Sequence, residues 1–170
     1  MAQTKLGDTV VNTSGNLPAV GTSAPEFTLT GNDLKDVKLS SFRGKFVILN
    51  IFPSIDTSTC AMSVRQFNKL AASLPDTIVL CIARDLPYAM KRFCGAEGID
   101  KVLTLSDFRH DGFRKDYGVM MTDGRMNGLF ARAVVVVNPD GKITYEELVP
   151  LIGQEPNYDG ALKAVGFGGS

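Results

Sequence analysis

The stretch Asn50–Phe67, NIFPSIDTSTCAMSVRQF, sets one thiol directly after an apolar run and at the start of a helical one. A thiol attacks as its thiolate. A helix start is one place that favours this anion, because unpaired first-turn N–H groups and the positive helix end face it. Chains of this shape often carry Cys-x-x-Cys here and trade electrons between two thiols. In this sequence Thr57 holds the first of those places, in Thr57-Ser58-Thr59-Cys60, so Cys60 has no thiol neighbour to capture it.

The spacing Cys60, Val64, Phe67, Ala71, Leu74 points Cys60 toward a core. Burial in apolar surroundings favours the neutral thiol, so a reactive Cys60 needs an opposing effect. The helix end supplies about 1 kcal/mol at exposed sites and up to about 2 kcal/mol when partly buried. A cation adds more, and Arg132 is the candidate. It leads into the apolar run AVVVV, where an unpaired guanidinium is costly and calls for an anionic or strongly accepting partner. Arg65 lies off the inward stripe, and Arg43 sits in a Phe-Arg-Gly turn. The purely structural reading of the same residues makes Cys60 a small buried hydrophobe and Arg132 a strand-end residue with its head in solvent. Ser54, Thr57, Ser58 and Thr59 are then caps and turn formers.

The other two thiols divide cleanly. Cys94 falls near the C-terminal end of its helix, where the dipole disfavours a thiolate. Cys81, inside TIVLCIA, reads as a structural core thiol. With no tight Cys-x-x-Cys pair and with His110 the only histidine, a metal site is disfavoured. A cysteine–histidine pair would depend on that same His110, which lies in the polar run FRHDGFRKD and reads as solvated helix surface. Eighteen basic residues balance eighteen acidic ones, so no global field draws in nucleic acid or an anionic membrane. No signal peptide or membrane-spanning run is apparent, and a cytoplasmic protein is expected. In a reducing compartment, a disulfide is more naturally transient and catalytic than structural.

The elements that must position these residues follow from pattern. Lys5–Asn12 reads as a hairpin around Gly7-Asp8, and residues 16–25 as a loop. FTLTGNDLKDVKLSSF holds two short strands, and KFVILNIF is a strand buried on both faces. After the Cys60 helix come the strand TIVLCIA and a helix capped by Asp85, with Pro87 in its first turn and its end near Gly95. VLTLS is a strand and DFRHDGFRKDYG a short polar helix. GLFARAVVVV and KITYEELV pair across Asn138-Pro139-Asp140-Gly141. A helix closes the chain over 158–165, and GFGGS is expected to fray. The chain of 170 residues is thus one α/β domain. Its order is that of a thioredoxin-like fold, a central mixed sheet flanked by helices, with an extra N-terminal β-hairpin.

These residues also carry a resemblance. Pro53-Ser-Ile-Asp-Thr57-Ser-Thr-Cys60 resembles the Pro-x-x-x-Thr-x-x-Cys motif of peroxiredoxins. LNIFPSIDTSTCA, RFCGAEG around Cys94 and LFARAVVVV around Arg132 are similar to the bacterial thiol peroxidase group, atypical two-cysteine peroxiredoxins. The resemblance implies that Cys60 is a peroxidatic cysteine attacking the O–O bond of a hydroperoxide, with Thr57 and Arg132 touching sulfur and peroxide. It implies that Pro53 walls the site from water and that Cys94 is the resolving cysteine, forming a Cys60–Cys94 disulfide. It further implies no cofactor, thioredoxin as reductant, a homodimer, and a leaning toward alkyl hydroperoxides. Two other readings are open: a thiol–disulfide oxidoreductase on the same fold, and a non-enzymatic holdase. A disulfide needs Cα atoms about 4.4–6.8 Å apart, and two cysteines on different intact helices are not expected that close. Local unwinding around Cys60, Cys94 or both is therefore expected during turnover.

Overall fold

In the computed structural model, which describes residues 2–166, the apolar runs expected to be strands meet in one seven-stranded mixed sheet. The small hairpin β1 (Gln3–Leu6) and β2 (Thr9–Asn12) stands apart as its own two-stranded sheet. In chain order the remaining elements are β3 (Thr28–Gly31), β4 (Asp36–Lys38), β5 (Phe46–Ile51), α1 (Ser58–Ala71), β6 (Thr77–Ala83), α2 (Pro87–Glu97), β7 (Leu103–Ser106), α3 (Gly112–Tyr117), β8 (Ala133–Val137), β9 (Ile143–Leu148) and α4 (Tyr158–Ala164). The sheet order is β4-β3-β7-β6-β5-β8-β9, with β6 parallel to β5 and β7, and β8 antiparallel to β5. This is the thioredoxin-like arrangement, and among the described residues no helix is long and apolar enough to cross a membrane.

Alternation along β5 sorts the core into two layers. Val47, Leu49 and Ile51 face the layer holding Phe113, Tyr117 and Phe130. Ile48 and Phe52 face the layer holding Cys60, Val64 and Phe67 of α1 and Met90 and Phe93 of α2. Asn50 has the same parity, which puts a polar side chain beneath α1. Its amide donates to Ser63 Oγ at 3.2 Å, and Ser63 in turn donates to the Cys60 carbonyl at 2.7 Å. The start of α1 is thereby tied to the central strand.

Two local readings are corrected by tertiary contacts. Asp85 does not cap α2; the residue ahead of the helix is Leu86, with no side-chain cap, and the helix runs on to Glu97 before Gly98 closes it at φ 65°. The Asp85 carboxylate is instead taken by the loop after β5. The polar run 107–118 is helical only over Gly112–Tyr117, and that helix is anchored by buried Phe113 and Tyr117 rather than solvated all round. His110 lies ahead of it, against Asp36. Buried Asp107 accepts from both Arg84 and Arg114, and Arg84 also donates to the Gly128 carbonyl at 2.7 Å, which ties down the segment 118–129 with its Met120, Met121 and Met126. From Phe167 on, the tail expected to fray lies outside the described residues.

Gly118 closes α3 at φ 62°, and a Cβ there would stand 2.7 Å from the backbone of Gly15 and Asn16. Neither the left-handed angle nor the contact tolerates a side chain. Gly118→Ala is expected to destabilise the protein by roughly 1–3 kcal/mol, read as a lower urea midpoint at unchanged slope.

Candidate active site

The loop between β5 and α1 places the site. β5 ends at Ile51; Phe52, Pro53 and Ile55 are buried, and Thr57 turns the chain into α1. Thr57 has extended backbone, and its side chain accepts from the Cys60 N–H at 3.3 Å, the geometry of an N-cap. Its own hydroxyl donates to the Ser54 carbonyl at 3.3 Å. The Thr57 oxygen therefore turns its lone pairs toward Cys60, while Thr57 itself is exposed. Cys60 is fully buried in the first turn of α1, as its place on the helical stripe indicates.

Arg132 meets Cys60 from the opposite side. It stands one residue ahead of β8, at a strand end as the structural reading supposed, but its head is not in solvent: the residue is 1% exposed. Nη2 donates to Cys60 Sγ at 3.3 Å and Nε donates to the Ile152 carbonyl at 2.9 Å. Nη1 is buried with no partner in the protein. Among the described residues no carboxylate pairs with it. The rival arginines are committed elsewhere, Arg65 to Glu97 and Arg43 to the Asp140 carbonyl.

A buried guanidinium costs several kcal/mol unless an anion and hydrogen bonds compensate it. In this pocket the Cys60 sulfur and the Ile152 carbonyl are the two acceptors it meets. That carbonyl was invisible to sequence reasoning, because a backbone acceptor leaves no residue signature. Its position is set by β1: Ile152 N–H donates to the Lys5 carbonyl and Lys5 N–H to the Pro150 carbonyl. Thr59 Oγ1 adds a bond to the Gly153 carbonyl. A shallow cleft lined by Ser58, Thr59, Met62, Gly153 and Glu155 runs alongside.

The structure does not bring Cys94 to this site. All three cysteines are free. Cys94 packs on β7, its sulfur 3.7 Å from the Thr104 hydroxyl, which donates onward to Asn32 at 2.7 Å. Cys60 rides on α1 and Cys94 on α2, which pack on the neighbouring strands β6 and β7, yet Cys94 stays outside the pocket that Arg132 and Cys60 form. Cys81 sits in the centre of β6, fully buried beside Asn50. Burial pushes its thiol up to about 12.

The Redoxin family is matched over residues 19–162. Over 166 residues the chain is 57% identical to the thiol peroxidase of Mycobacterium tuberculosis (strain ATCC 25618 / H37Rv), covering 98% of this chain and 99% of that one. The thiol peroxidase of Mycobacterium bovis (strain ATCC BAA-935 / AF2122/97) matches at the same identity and coverage. Among solved structures, a peroxiredoxin-like protein from Aquifex aeolicus superposes with a TM-score of 0.91 at 34% identity, over 96% of this chain and 95% of that one. The thiol peroxidase from Chromobacterium violaceum shares the fold, with a TM-score of 0.88 at 23% identity over 98% and 96% of the two chains.

Because the folded chain holds the Cys81 proton more tightly than the unfolded chain does, this thiol stabilises the fold fully below its ordinary value of 9.0. The contribution is lost as pH rises from there toward about 12. Cys81→Ala is expected to show a shallower loss of stability than the parent across that window, followed by urea denaturation at several pH values. In the folded parent, iodoacetamide at pH 8 is expected to leave Cys81 unlabelled.

Proposed function

The chain belongs to the Redoxin family, as a peroxiredoxin enzyme related to the mycobacterial thiol peroxidases, and from that premise we propose that Cys60 is the peroxidatic residue and Cys94 the resolving one. The observation that carries this reading is the Arg132 guanidinium. One arm donates to Cys60 sulfur, and a second, buried and unpaired, is left for an incoming group.

The thiolate of Cys60 attacks the nearer oxygen of a hydroperoxide. An S–O bond forms, the O–O bond breaks, and its electron pair leaves on the distal oxygen, which takes up a proton and departs as alcohol or water. The peroxide is reduced by two electrons and Cys60 becomes a sulfenic acid. Charge grows on the leaving oxygen, and preorganised donors in a dry pocket serve it well. Arg132 Nη1 is such a donor. Thr57 Oγ1, its lone pairs directed inward, accepts the peroxide O–H. Buried Pro53 closes the pocket to bulk water. The cleft between Met62 and Gly153 is the side from which an alkyl peroxide reaches the sulfur.

Cys94 then attacks the sulfenic sulfur and releases water, forming a Cys60–Cys94 disulfide within one chain. In the resting fold Cys94 lies against Thr104 of β7 while Cys60 is buried beside Arg132, so this requires local unfolding of one or both helix ends. A dithiol reductant opens the disulfide by exchange; thioredoxin in the cytoplasm is the proposed partner, and a homodimer the proposed working unit, on the strength of the family resemblance. The Thr57 hydroxyl in place of a second thiol argues against an autonomous thiol–disulfide oxidoreductase, and Cys60→Ser distinguishes a holdase, whose activity would survive it.

Cys60→Ser is expected to abolish hydroperoxide turnover in a coupled assay. Arg132→Gln is expected to slow sulfenic acid formation by about 10²–10³-fold, the scale of losing one preorganised donor. Cys94→Ser is expected to consume one peroxide per site and then stall until a small thiol is added. Retained turnover in Cys60→Ser overturns the assignment. Amide exchange is expected to be faster in the oxidised form over 57–63, over 88–97, or over both; identical exchange in the two redox forms would refute intrachain resolution by unwinding.

A further inference from the structure

The loop that delivers Thr57 hangs from a single carboxylate. Asp85 lies just beyond the end of β6 and two residues before α2 begins. Its Oδ1 accepts from the Ser54 hydroxyl at 2.8 Å, and its Oδ2 accepts from the Ile55 N–H at 2.8 Å. Both are well-formed hydrogen-bond distances. This engagement explains why a residue suited to capping α2 leaves that helix without a side-chain cap.

Ser54 passes the constraint on. Its Oγ accepts from Asp56 N–H at 3.2 Å, and its carbonyl accepts from Thr57 N–H at 3.2 Å and from the Thr57 hydroxyl at 3.3 Å. Thr57 Oγ1 then accepts from Cys60 N–H at 3.3 Å. An unbroken run of hydrogen bonds thus leads from Asp85 to the backbone of Cys60. The far end of the same connection is α2, the helix that bears Cys94. One further bond joins the two elements, an exposed Arg92–Asp56 pair at 3.5 Å, and exposed pairs of this kind are worth little.

We propose that Asp85 is a positioning residue, a latch between the peroxidatic loop and the start of the resolving helix. Closed, it sets Thr57 and Cys60 for attack. Open, it frees the loop so that the sulfenic acid can travel to Cys94. The proposal rests on the roles given above to Cys60 and Cys94. It makes the two half-reactions respond in opposite directions to one side chain, which a merely structural carboxylate would not do. An asparagine keeps the shape of the latch, because its carbonyl can accept from Ile55 N–H while its amide donates to Ser54 Oγ.

The test separates the two steps. In a Cys94→Ser background, hydrogen peroxide is added in single turnover and the sulfenic acid at Cys60 is trapped with dimedone. Asp85→Ala is expected to slow this step by about tenfold, as for a reacting group displaced by a fraction of an ångström, and Asp85→Asn to recover most of the loss. With Cys94 present, intact mass at rising hydrogen peroxide reads the partition of Cys60 between disulfide and sulfinic acid. Asp85→Ala is expected to shift it toward disulfide, with Asp85→Asn close to the parent. Unchanged trapping and unchanged partition in Asp85→Ala, alongside a lowered melting temperature, would overturn the latch and leave Asp85 a structural residue. Equal defects in Asp85→Asn and Asp85→Ala would overturn it as well. A parent that forms no dimedone adduct at Cys60 would instead overturn the site assignment beneath it.

Discussion

A guanidinium sealed from water beside a sulfur is the constraint around which this molecule is built. Arg132 is 1% exposed and has no carboxylate partner among the described residues. Such a charge is tolerable only where acceptors are fixed in advance. The Ile152 carbonyl is one, and its stretch of chain is stitched on several sides. Lys5 exchanges two backbone bonds with Pro150 and Ile152, and the buried Thr4 hydroxyl donates to the Val149 carbonyl. The N-terminal hairpin, which stands outside the main sheet, is therefore a brace for the site rather than an appendage. The other acceptor is Cys60 sulfur, and the second arm of the guanidinium has none.

Under the roles proposed for these residues, the same pocket has to be rigid and then yield. Attack needs Thr57, Cys60 and Arg132 in one fixed arrangement, and resolution needs Cys60 to leave it, since Cys94 is held against β7 by its contact with Thr104. The helix end that carries Cys60 is capped by Thr57 and tied to β5 through Ser63 and Asn50, and these are the bonds that a release of its first turn would break.

Much of this was legible in the chain itself. The continuous apolar run of β5, the stripe from Cys60 to Leu74 and the strand around Cys81 are local patterns. They are sufficient because these elements bury one face or both against whatever lies opposite. Strand bounds at Thr77–Ala83 coincide with the reading from pattern, and the hairpin around Gly7-Asp8 turns where a two-residue loop should. The errors share one cause. Asp85 and the segment before α3 were read from neighbours in sequence, whereas Asp85 is claimed by Ser54 and Ile55, and Phe113 and Tyr117 by the core. A polar side chain that has two possible local uses goes to the stronger, longer-range one when the fold offers it.

What the sequence determined alone is the chemistry on offer: a thiol at a helix start with a hydroxyl where a second thiol would sit, an arginine entering an apolar strand, and one further thiol suited to wait. Those follow from residue type and from periodicity, which are properties of the chain before it folds. Only the tertiary structure decided that Arg132 points inward, that a backbone carbonyl held by the N-terminal hairpin aims it, and that Cys94 stands apart from Cys60. These depend on contacts between segments far apart in the chain, and such contacts are settled by packing, which no local pattern encodes.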